Sequence, residues 1–192
     1  VSRQDEPYRA VVGLDASISN TGMAIHRYGE HALQNSAWNI KTKERGQDHF
    51  SRAERMYESA TAINSKVAYN SLVLMEGPAY GASGASFHDL AGHWWKVFNN
   101  LVMGWADVIV VTPGQLKKFV TGKGNAPKDE VMLAAARRWP DLKITDNNTA
   151  DATGLMMMGR ALLGEELNMP KVNMEALKGL EVHPKARTVI VG

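Results

Sequence analysis

Apolar and polar positions along the chain follow two periods in turn. Arg9 to Leu14 is an apolar run of strand length, and Thr21 to Tyr28 is another across a turn of Ser, Asn and Thr, which predicts a hairpin. Ala32 to Lys43 predicts a third strand with a basic end at Lys41, Lys43 and Arg45. The period then changes: Phe50, Ala53, Met56, Ala60, Ile63 and Val67 recur at helical spacing. Ser71 to Met75 is an apolar strand ending on Glu76, and Ser86 to Met103 is a strongly apolar helix containing Trp94 and Trp95. Asp107 to Val111 is a β-branched strand, followed by short helices near Pro113–Val120 and Pro127–Trp139 and a last helix over Asn147–Leu163. Beyond Gly164 the pattern weakens, and Thr188 to Val191 reads as an added strand or a loose tail. The expectation is an α/β domain over residues 1–164, an antiparallel meander followed by parallel strands with flanking helices, and a C-terminal extension over 165–192. There is no internal repeat.

Composition narrows the picture only slightly. A chain of 192 residues with 44% hydrophobic content suits one domain with a real core. The absence of cysteine excludes disulfides and Cys-based zinc sites and fits a reducing compartment. No apolar run approaches the roughly 20 residues that cross a bilayer, so no membrane partner is expected. The formal charge of +2 is nearly neutral, so any polyanion must meet local basic surfaces, with Lys41–Arg45 and Lys117–Lys128 as the candidates.

The chemistry lies in the acids. Asp15 and Glu76 each end an apolar strand, and Asp151 sits near the start of a helix. In α/β sheets sites form at strand ends. Each acid alone reads as an ordinary turn residue, and Asp146 equally as the N-cap of the last helix. Three acids converging on one sheet edge repel one another and need a compensating cation. Mg²⁺, with Mn²⁺ as a substitute, takes such hard oxygen ligands. Two such ions about 3.5–4 Å apart bracket an in-line phosphoryl displacement.

Four segments carry a resemblance: GLDASISNTG at the first strand, LVLMEGPAYG at the second acid, TPGQLKKFVTGKGNAPKDEV, and ADATGL. In this order they resemble the ribonuclease-H-like nucleases, and among them the RuvC family of Holliday junction resolvases. The third is the most specific, a lysine, two glycines separated by one residue, and a second lysine before a helix, matched by Lys117, Gly122, Gly124 and Lys128. The resemblance spans Val11 to Leu163 and implies a ribonuclease-H-like mixed sheet. It also implies a Mg²⁺-dependent endodeoxyribonuclease that cuts four-way junctions or other branched DNA. Asp15, Glu76 and Asp151 match the family's metal-binding catalytic acids, and Lys117 and Lys128 its basic residues near the scissile DNA.

Lys118 and Lys123 are further DNA-binding candidates, with solvated surface as the plain alternative. Tyr80 lies where the family commonly has an aromatic near the junction centre, positioned to stack on an unpaired base. The turn at Ser17–Thr21 offers small polar groups to a backbone phosphate, and Gly13 allows another segment to approach Asp15. Phe87, Leu90, Ala91, Trp94, Val97, Phe98 and Leu101 form one stripe of their helix, broadened by Trp95 and Val102. In resolvases a helix in this position pairs with its copy, so a homodimer is expected. The implied compartment is the cytoplasm of a bacterial cell.

The chain also departs from the family. Three residues before Asp151 the family usually has a carboxylate or histidine, and here stands Asn148. Asp146 carries the charge but lies out of that register. It is preferred as the fourth site residue because a carboxylate binds Mg²⁺ better than an amide. Such departures suggest a divergent, phage-type member. Two other classes remain open: a non-catalytic branched-DNA-binding module, and a phosphotransferase of the actin and sugar-kinase type.

Overall fold

The computed structural model describes residues 7–29, 35–78 and 85–181. Strand β1 (Ala10–Asp15) pairs antiparallel with β2 (Asn20–Arg27), setting Asp15 opposite Gly22. Strand β3 (Asn35–Lys41) adds to β2, again antiparallel. On the other side of β1 lie β4 (Ser71–Glu76) and β5 (Asp107–Val111), both parallel to it. The five-stranded sheet has the order β3-β2-β1-β4-β5, an antiparallel meander continued by parallel strands. The third strand ends at Lys41, short of the expected Lys43, and residues 30–34, where its start was expected, lie outside the described residues. Thr188–Val191 also lies outside them.

Helices cover both faces. Helices α1 (His49–Asn64) and α2 (Ala85–Met103) pack on one, and α3 (Pro113–Thr121), α4 (Lys128–Arg138) and α5 (Asn147–Leu162) on the other. Strand side chains alternate between two cores. Val12, Leu14, Met23, Val73 and Met75 meet Ile63, Trp94, Val97 and Leu101. Val11, Leu72, Leu74 and Ile109 meet Phe119, Leu155 and Met156.

The stripe expected along α1 is only half realised. Ala60 and Ile63 are buried, but Phe50 is 85% exposed, because the helix meets the core through its C-terminal turns alone. On α2, Trp94, Val97 and Leu101 are buried, whereas Trp95 is 61% exposed and Phe87 and Leu90 lie partly open. Past Gly164 the chain docks on α3. Asn173 of the short helix α6 (Lys171–Met174) donates from Nδ2 to Phe119 O at 2.7 Å, and Ala176 in the following 3-10 turn is buried. Among the described residues no helix is long and apolar enough to cross a membrane.

Candidate active site

Side-chain alternation decides where the strand-end acids point. Val11 belongs to the α5 core and Val12 and Leu14 to the opposite one, so Asp15 shares the α5 face. Leu72 and Leu74 likewise put Glu76 on that face. Leu14 pairs with Met75 across parallel strands, which makes Asp15 and Glu76 side-by-side neighbours at the strand ends. The third acid arrives by close backbone approach. A Cβ on Gly13 would lie 1.9 Å from Ala152 O, and one on Gly22 would lie 2.0 Å from Asn148 O. Glycine at both positions lets the start of α5 lie directly on β1 and β2, and this brings Asp151 to Asp15. From Thr149 to Gly159 every residue of α5 is buried except Asp151.

The three carboxylates share one electrostatic field. Burial, then the charges of Glu76 and Asp151, push Asp15 up from 3.8 to about 7, with Lys128 opposing. Burial, then Asp151, push Glu76 up to about 7, against Lys128 and Lys117. Burial pushes Asp151 up to about 6, opposed by the same two lysines. The first and second motif lysines thus stand within Coulombic reach of the acids, and neither is in an ion pair among the described residues. A cleft of about 120 Å³ opens beside them, lined by Asp15, Ala16, Glu76, Gly77, His93 and Trp94 among others.

The other expected site residues fall elsewhere or have other partners. Lys118 Nζ pairs with Glu175 at 3.0 Å, and Lys123 Nζ with Glu130 at 2.9 Å. Ser17 Oγ accepts from the backbone N–H groups of Ser19 and Asn20 at 3.3 and 3.2 Å, which closes the β1–β2 turn. Tyr80 lies outside the described residues. Asp146 is the N-cap of α5: its Oδ1 accepts from Thr149 N at 2.9 Å, and its Oδ2 from Asn39 Nδ2 at 2.5 Å. Burial raises its pKa, but the hydrogen bonds from Thr149, Asn39 and Asn20 outweigh that and hold it below the usual carboxylate range. Its charge still reaches Asp15. Asn148, the register-matched position, donates from Nδ2 to Asn20 O at 2.7 Å and so ties α5 to the start of β2.

Three features of the site have no clear sequence signal. Trp94 Nε1 donates to Glu76 O at 2.8 Å and fixes the end of β4. His93, buried and pushed down to about 4 by desolvation, stays neutral and hydrogen-bonds Ser59 Oγ at 2.9 Å. Asn20 and Asn39 clamp Asp146. In the sequence His93 is one of several polar residues of α2, and no pattern sets it apart.

The donor chemistry fits a hard divalent cation. Burial raises all three carboxylates, neighbouring carboxylate charge adds to this at Asp15 and Glu76, and the lysines offset it only in part, so a cationic counter-charge would relieve the site. The side chains do not already surround one point: among the described residues no three His, Asp or Glu groups are spaced to enclose an ion.

A mixed five-stranded sheet with a carboxylate on each of two adjacent parallel strand ends and a third on the covering helix is the ribonuclease-H-like arrangement. Within that class the fold is that of RuvC. The chain matches a Thermus thermophilus RuvC structure with a TM-score of 0.61 at 21% identity, covering 81% of this chain and 96% of that one. It matches T. thermophilus RuvC in complex with a Holliday junction substrate with a TM-score of 0.59 at 19% identity, covering 82% and 97%. No protein-family model and no curated protein matches it. The chain is therefore RuvC-like in fold and divergent in sequence.

Proposed function

We propose that the protein is a metal-dependent, structure-selective endodeoxyribonuclease that hydrolyses phosphodiesters in four-way junctions or other branched DNA. The observation that carries this reading is the trio Asp15, Glu76 and Asp151, half-buried at one sheet edge and in the field of two lysines that are in no ion pair among the described residues. The RuvC-like fold supports it.

Asp15, Glu76 and Asp151 would hold Mg²⁺, with Mn²⁺ as a substitute. When bound, the ion supplies an activated water and relieves negative charge on the phosphorane and leaving oxygen. The chain's own groups do the rest. Lys117 and Lys128 add positive potential where the phosphate's charge grows. Trp94 holds the strand end beneath Glu76. The caps and amides around Asp146 hold the first turn of α5 and with it Asp151.

The substrate suggests a two-fold assembly, since a four-way junction has equivalent strands to cut. The exposed apolar groups of α2, with Trp95 61% and Met103 58% open, are the surface for a homodimer.

The test is cleavage of end-labelled four-way junction, flap, fork and plain duplex with Mg²⁺ or Mn²⁺. Metal-dependent cutting of branched DNA is expected from the parent chain, and loss of cutting with binding retained from Glu76→Gln and Asp151→Asn. A parent that binds junctions without cutting them under any metal is a binding module, and full cleavage by both variants removes the acids from the site.

A further inference from the structure

A second cavity, of about 240 Å³, adjoins the acid cleft on the far side of Leu90, which lines both. Asp15 and Ala16 line the first, and the chain continues through Ser17, Ile18 and Ser19, which line the second. Its chemistry is the reverse of its neighbour's. Arg45, Arg52 and Arg55 line it, against one carboxylate, Asp89. At about 30 Å³ per water it holds roughly eight waters, room for a phosphate and part of its sugars.

The arginines differ in how firmly they are engaged. Arg52 forks onto Asp89, its Nε lying 2.7 Å from Oδ2, with a second contact through the terminal nitrogen. Arg45 reaches outward to Glu54 at 3.3 Å and Glu58 at 3.0 Å, pairs that are solvent-exposed and therefore weak. Arg55 uses its Nε–H on Thr42 Oγ1 at 3.0 Å, and Thr42 in turn donates to Ile18 O at 2.6 Å. Arg55 thus has its stem fixed against the β1–β2 turn and its terminal nitrogens in no ion pair among the described residues. A planar guanidinium held in this way is suited to bidentate recognition of a phosphate.

We propose that the Arg45–Arg52–Arg55 cavity seats a backbone phosphate of the DNA strand running past the carboxylate edge. The site rests on the nuclease reading and deepens it. A strand crossing this edge meets carboxylates at the phosphate to be cut and guanidinium groups at a neighbouring one. The pair of cavities fixes which phosphate enters the cleft. Asp89 opposes the incoming phosphate and competes with it for Arg52.

The experiment is equilibrium binding of a fluorescent four-way DNA junction to the full chain in EDTA, from 50 to 200 mM NaCl. It compares the parent with Arg55→Gln, Arg45→Gln, Arg55→Lys and Asp89→Asn, with thermal melts to verify folding. The two glutamine variants are expected to bind threefold or more weakly, with a log–log salt slope shallower by about 0.7–0.9 for each phosphate the protein no longer neutralises. Arg55→Lys should keep most of the slope. Asp89→Asn should bind more tightly than the parent, an outcome that a merely structural Arg52–Asp89 clip does not give. Unchanged affinity and slope in both glutamine variants, or weaker binding by a folded Asp89→Asn, overturns the phosphate seat and leaves the nuclease reading intact. A parent that binds no DNA overturns both. A parent that binds but never cuts overturns the nuclease reading alone, because the binding comparison needs no cleavage.

Discussion

Asp15→Asn should make the metal-free protein more stable while removing its chemistry. Asp15 carries a pKa moved from 3.8 to about 7 by burial and by the charges of Glu76 and Asp151. At about 1.36 kcal/mol per pKa unit, keeping this carboxylate ionised at pH 8 costs on the order of 4 kcal/mol. Part of that cost is repulsion shared with the other two acids, and an amide must also be desolvated, so the variant should recover about 1–3 kcal/mol. For a chain of this size each kcal/mol moves Tm by about 2–4 °C, which gives a rise of up to roughly 10 °C.

The pH dependence separates this cause from a packing effect. The folded pKa lies above the unfolded one, so the native state binds more protons than the unfolded state between about pH 4 and 7. Parent stability therefore falls as pH rises through that window. The variant's advantage is full above pH 7 and fades toward pH 4. Added Mg²⁺ should raise the parent's Tm, because a ligand that binds only the native state stabilises it, and should move the variant much less. Melts by circular dichroism in EDTA at pH 5 and 8, repeated with Mg²⁺ at pH 8, measure all of this. A variant that melts at or below the parent at pH 8, or a gain of equal size at pH 5, refutes the electrostatic account.

Lys117→Ala and Lys128→Ala should slow cleavage and each lower the salt slope of junction binding by about 0.7–0.9; unchanged rate and slope in both return them to solvated surface. Asp146→Asn should raise the Mg²⁺ concentration needed for cleavage and cost no more than about 1 kcal/mol, since Asn caps a helix about as well as Asp; a metal titration in which only Asn148→Ala shifts identifies Asn148 instead. Gly13→Ala places a methyl 1.9 Å from Ala152 O and should destabilise by about 3 kcal/mol or more, read as a lowered denaturation midpoint. Trp95→Glu should abolish a two-fold assembly in sedimentation while the far-UV circular dichroism stays that of the folded chain, because the side chain is 61% exposed in the single chain; a monomeric parent at micromolar concentration removes that interface.

Much of the fold was legible because its signals are local. Apolar runs of strand length, the change from a period of two to one of 3.6, and Asp15 and Glu76 at strand ends are properties of short segments. They place every described strand and the helices from α1 to α5, and they single out the acids. Sequence also marked Gly13 as a place of close approach, although not what approaches. Tertiary structure decided the rest. Only the register of β1 against β4, and the contact of α5 with Gly13 and Gly22, bring three acids distant in sequence into one field. Only packing shows that Phe50 and Trp95 face outward from helices whose pattern would bury them, since helical spacing says which residues share a face but not how far the neighbouring sheet extends. Lys117 and Lys118 are adjacent in the chain, yet one lies in the field of the acids and the other pairs with Glu175, a partner 57 residues away. The guanidinium cavity likewise joins Arg45, α1 and α2 to the β1–β2 turn. Only Arg45 lay in a basic cluster that the sequence marked; Arg52, Arg55 and Asp89 become its neighbours only once the helices settle on the sheet.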